Sequence, residues 1–174
     1  MEGATVHLMH MSTALQEELH PHVSADVSPP DAVYAVVNSL VDTTKIVASV
    51  SEFVRDEPTI WRVWALTQTT LTFVEVRFDE LSYDRDRSLE DYYRQRPPLR
   101  KILTAWTRPL STVAALFADE VGEVRGEARW YPATLVLLFV DGLKVQLPRE
   151  ESLHRAPDRE RTDAFLKALR DALA

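Results

Sequence analysis

Two periods run through the apolar positions of this chain. From Asp31 onward, Ala32, Val33, Val36, Val37, Leu40 and Val41 recur at i, i+1, i+4, i+5. That spacing predicts one apolar helix face over about three turns. The period then changes to two. Lys45 to Val54 is rich in Val and Ile, with Ile46, Ala48 and Val50 expected on one side, and Pro58 breaks it. Ile60–Thr67 and Leu71–Phe78 predict a pair of strands around a Gln68-Thr69-Thr70 turn. In the second, Val74, Val76 and Phe78 face one way and Glu75 and Arg77 the other, as in a sheet with one wet face.

Asp79 to Arg87 is charged and aperiodic, a predicted loop, and Ser88 with Asp91 three residues later resembles a capping box. After Pro97-Pro98, the residues Leu99, Ile102, Leu103 and Trp106 fall at i, i+3, i+4, i+7 and predict an amphipathic helix that Pro109 ends. Strand patterns return at Thr112–Ala118. They continue where Val124, Gly126, Ala128 and Trp130 alternate with Glu123, Arg125, Glu127 and Arg129, and again in the apolar run Thr134–Val140. Asp141-Gly142 predicts a tight hairpin whose two central residues both take positive φ, leading into Leu143, Val145 and Leu147. Asp158 is placed to cap a last helix with the stripe Phe165, Leu166, Leu169, Ala172, Leu173. Ahead of all this, Ser12–Leu19 has helical spacing, Pro21 stops it, and Ser24–Pro30 is rich in Ser, Pro and Asp. Residues 1–30 therefore read as an arm and linker, and 31–174 as one domain.

The expected class is α+β: a seven-stranded antiparallel curved sheet or barrel, a C-terminal capping helix, and a helical insertion at about 80–108 between strands three and four. Three phrases carry a resemblance. They are Trp64-Ala65-Leu66-Thr67 through Leu71-Thr72-Phe73-Val74, then Arg108-Pro109-Leu110-Ser111, then Leu137–Gln146 leading into Asp163–Leu173. Over residues 44–174 this pattern resembles the pleckstrin-homology-like (PH-like) barrel in its bacterial forms, with a helix-grip or NTF2-like cone as the rival. The resemblance implies a binding module. Lipid-binding members carry cations between the first two strands. Here that loop is Arg55-Asp56-Glu57-Pro58, so phosphoinositide binding is not expected.

Composition sharpens this by exclusion. With 45% hydrophobic and 27% charged residues, the chain is rich enough in apolar side chains to fold. Its net charge of −7 arises wholly in residues 1–58, which hold 9 acids against 2 bases. Such a segment disfavours nucleic acid and anionic lipid, both of which need clustered cations. No apolar run approaches the ~18–20 residues that span a bilayer, and Met1-Glu2-Gly3 lacks the cationic start of a secretory signal. A cytoplasmic location is the expectation, with Met9 and Met11 as further possible starts. The chain has no Cys, which excludes disulfides and thiolate chemistry, and only 4 Gly, too few for a phosphate cradle.

Candidate chemistry is sparse. His7, His10, His20 and His22 lie on the arm and His154 in a charged loop, so no metal site, cofactor or general base is expected. No Ser sits in a nucleophile elbow. Glu75 or Glu127 as an acid/base is outweighed by the simpler reading of charged ladders on a wet face. The concentrated feature is basic and aromatic: Tyr92, Tyr93, Arg94, Arg96, Leu99, Arg100, Lys101, Leu103, Trp106 and Arg108. On a helical insertion these residues would form an interaction face. The functional expectation is a non-enzymatic module acting through protein–protein contacts or self-association. The alternative is a small-ligand or lipid carrier with its cavity under the last helix, and an enzyme ranks third.

Overall fold

The computed structural model describes residues 28–54, 58–94, 100–124, 129–148 and 156–174. Helix α1 spans Asp31–Leu40 and buries Val33 and Val37 of the expected face, together with Tyr34, which was not part of it. Strands β1 (Ala48–Val54), β2 (Thr59–Leu66) and β3 (Thr70–Phe78) follow. Helix α2 (Arg85–Arg94) leads to β4 (Arg100–Pro109), β5 (Val113–Val124), β6 (Arg129–Phe139), β7 (Lys144–Gln146) and the C-terminal helix α3 (Ala156–Leu173). The fold is α+β, with two antiparallel sheets ordered β1-β2-β3-β4 and β5-β6-β7. The seven strands do not close into one barrel.

Local chemistry sets the first hairpin. Thr67 Oγ1 accepts the amides of Thr69 and Thr70 at 3.3 and 3.0 Å, and Thr67 N donates to Thr70 O at 2.9 Å. That turn puts Leu66 opposite Leu71, and every pair down to Thr59 and Phe78 follows. Both faces of the four-stranded sheet are then put to use. On the inner face Ala48, Val50, Trp64, Leu66 and Leu71 pack against Leu135, Leu137, Phe139, Val145 and Leu147 of the second sheet and Phe165, Leu166 and Leu169 of α3. On the outer face Trp61, Val63, Ala65, Val74, Val76 and Phe78 pack under α1 and Tyr83. Trp61 Nε1 donates to Tyr83 O at 2.7 Å, which pins the loop after β3 to the sheet. Ile46, expected beside Ala48 and Val50, packs with this outer cluster instead.

The largest correction falls on residues 99–108. Arg100–Pro109 is a strand in register with β3, not a helix, so the expected helical insertion reduces to α2 and its connections. The i, i+3, i+4, i+7 pattern imitated a helix because a bulge opposite Glu75/Val76 breaks the alternation at Leu103. Ile102 then lies opposite Val76 on the outer face and Trp106 opposite Phe73 on the inner one. The residue types carried the better signal, since Ile, Thr, Trp and Thr favour strands.

A second correction concerns 123–130, read as one alternating strand. It is the meeting of two: Glu123 pairs Trp130 and Val124 pairs Arg129 at the end of the β5–β6 hairpin, with 125–128 outside the described residues. The strand lost there offsets the strand gained at β4, and the total of seven survives by that exchange. Smaller revisions follow. Asp84, not Ser88, caps α2, its Oδ1 accepting Arg87 N at 2.9 Å. In the Asp141-Gly142 turn only Gly142 takes positive φ (+87°), where an added Cβ would be strained although nothing crowds it.

Candidate functional site: an inter-sheet cleft beside an open edge strand

The wet face expected of β3 lies inside the sandwich. Beyond the apolar rows, the inner face carries Glu52 on β1, Arg62 on β2 and Glu75 on β3, directly opposite one another. Arg62 donates from Nη1 to Glu52 Oε2 at 2.8 Å and from Nε to Glu75 Oε2 at 2.5 Å. Burial works against the charge on Arg62, but its hydrogen bonds to Glu75 and Glu52 outweigh that and raise its pKa above the ordinary guanidinium value. Thr104 on β4 continues the row.

These groups line a cleft of about 290 Å³ between the four-stranded sheet and the segment Leu143–Leu147. Its aromatic side is a stack of neighbours. Ring centroids of Trp64 and Phe73 are 5.1 Å apart, those of Phe73 and Trp106 are 5.6 Å apart, and Trp106 meets Phe139 edge-on at 5.8 Å. Trp64 Nε1 is buried with no hydrogen-bond partner among the described residues. The lining includes no residue of α3, so this space is not the cavity envisaged under the last helix. Among the described residues no group of three or more His, Asp or Glu is placed to hold a metal.

β4 flanks the cleft and is an edge strand among the described ones. It pairs only with β3 among the described strands. The opposite edge strand, β1, is packed against α3. Ile102 and Leu103 are 53% and 39% exposed, large apolar side chains facing outward on this strand. Arg100 and Lys101 precede them and are exposed too. A bulge and two cations are what edge strands use to refuse indiscriminate pairing.

The basic-aromatic group expected on one helix face is thus divided. Trp106 is half-buried on the inner face. Arg108 lies 5.8 Å from its ring and 5.1 Å from that of Phe139, and donates to Asp141 at 2.6 Å. That hydrogen bond, with one from Leu143 N, holds the Asp141 carboxyl below its usual range. Arg100, Lys101 and Leu103 stand together at the exposed start of β4. Tyr93 is exposed on α2, which also holds Tyr92 and Arg94. Arg96 and Leu99, and the Arg55–Glu57 loop, lie outside the described residues. Glu52 and Arg62 were missed as site residues. The signal was available for one pair, because the Thr67–Thr70 turn forces Arg62 opposite Glu75.

No protein-family model, curated protein or solved structure matches the chain. No described helix is long and apolar enough to cross a membrane.

Proposed function

We propose that this chain is a PH-like, non-enzymatic binding module that receives an extended segment of a protein partner along the outer edge of β4. A four-stranded sheet followed by a three-stranded sheet and a C-terminal helix supports the PH-like assignment. The observation that carries the functional reading is the exposed Ile102–Leu103 pair on an edge with no described strand partner. Main-chain hydrogen bonds supply affinity when a strand is added to such an edge, and alternate side chains supply specificity.

The test is selection of short peptides on the full chain, followed by amide hydrogen exchange of the complex. Binding should slow exchange along Arg100–Thr107, and Ile102→Glu should abolish capture while leaving the unfolding midpoint nearly unchanged. Protection confined to β1, or capture unaffected by Ile102→Glu, defeats the edge reading. Concentration-dependent dimerisation through β4 would identify a second copy, not a partner, as the occupant.

A further inference from the structure

We propose that the inter-sheet cleft binds a neutral sugar of one or two rings, a ligand separate from the segment received on β4.

The polar side of the cleft sets the charge of its ligand. Glu52 and Glu75 are balanced by Arg62 and Lys144, and all four line the same space. One row further along, Lys101 stands opposite Arg77, which is paired with Asp79 at 2.7 Å, and neither cation lines the cleft. The lining thus offers an ion no surplus of opposite charge. An anion meets two carboxylates and a cation meets Arg62 and Lys144, so either gives up hydration without a matching gain.

The hydrogen-bonding groups are of both kinds. Arg62 engages Oε2 of Glu52 and Oε2 of Glu75, which leaves Oε1 of each carboxylate to accept from a ligand. Lys144, exposed at the start of β7, supplies donors only, and the Thr104 hydroxyl can do either. A hydroxyl is the neutral group that both donates to a carboxylate and accepts from an ammonium. Its bonds to charged partners belong to the stronger class. Several hydroxyls on one small frame match this set.

The other wall is apolar. Phe73 and Trp106 are partly buried, with ring centroids 5.6 Å apart, and buried Trp64 backs Phe73 at 5.1 Å. A pyranose ring has the same two-sided character, with C–H groups on its faces and hydroxyls around its rim. Its C–H face covers the aromatic surface while the rim reaches the carboxylates. The volume of about 290 Å³ lies at the lower end of the ~300–1,000 Å³ usual for ligand cavities. That suits one or two sugar rings and is too small to enclose a lipid chain.

The experiment is titration of the full chain with D-glucose, D-galactose, D-mannose, cellobiose and lactose, read by tryptophan emission and saturation-transfer NMR. At least one sugar should bind with a dissociation constant of about 1 mM or tighter, and its ring C–H protons should receive the strongest saturation. Lys144→Met, at an exposed position, should weaken that binding about fivefold or more and leave the unfolding midpoint unchanged. The amino and uronic acid forms of the same sugar should bind about tenfold more weakly. Ile102→Glu, on the opposite face of β4, should leave sugar affinity as it is. No response to any of the five sugars at ~50 mM overturns the proposal. So does equal affinity for the charged forms, or a sugar affinity indifferent to Lys144→Met. Peptide capture on β4 is untouched by any of these results, so edge docking stands or falls by its own test.

Discussion

Tyr34 shows how one buried side chain couples this fold to pH. Its ring lies under the sheet on α1, and burial pushes its pKa from 10.0 to about 12, with Arg85 opposing the shift and Asp31 adding to it. The folded value lies above the unfolded one, so the native state prefers the neutral phenol. The stabilisation is fully present below pH ~10 and is lost as pH rises toward ~12, amounting to about 2–3 kcal/mol at most. Urea unfolding measured across that window should show wild type losing stability more steeply than Tyr34→Phe. Parallel slopes would mean that the phenol is not desolvated. At the same scale the polar side chains of β2 and β3 explain themselves once paired. Arg62 sits at an inward position of a strand whose other inward residues are apolar, and it is tolerated there because Glu52 and Glu75 flank it. Sequence patterning recorded a polar position and not its partners, and a position without partners reads as solvent-facing.

Among the elements, the outer helices were the most legible. The α1 stripe and the α3 stripe were both predicted from spacing, because a helix packed on one side must repeat its apolar residues every three or four positions. In α3 the stripe lands on the shared core: Phe165 and Leu169 are fully buried, while Lys167 and Asp171 form an exposed pair at 2.6 Å. Leu169→Ala should therefore cost about 2–5 kcal/mol through the cavity it leaves. Lys167→Ala should cost under about 0.5 kcal/mol. Equal effects of the two, measured by chemical denaturation, would place α3 off the core. β4 was illegible for the converse reason. An edge strand is buried on neither side consistently, and a bulge shifts its phase once, so four apolar residues fell by coincidence on a helical period.

Taken as a whole, the molecule hangs two apolar clusters on one sheet. Trp64 and Leu66 belong to the inner cluster, and Trp61, Val63 and Ala65 to the outer one, so consecutive residues of β2 alternate between them. Neither cluster survives the loss of β2. Unfolding should then be a single transition, with tryptophan fluorescence, near-UV and far-UV circular dichroism coinciding in urea. A first phase that releases α1 with its cluster, ahead of the rest, would show that the two halves are separable.

The sequence by itself determined where the first and last described helices lie, where period two begins, and that the class is α+β. Those properties are local or additive, and each residue carries its own share of them. Only the tertiary structure decided that 100–109 is a strand, that the strands divide into two sheets and not one barrel, and that the polar side of β3 faces a cleft. It also decided which edge has no partner among the described strands. These depend on register and on what covers each face, and both are set by residues far apart in the chain, which no window along the sequence contains.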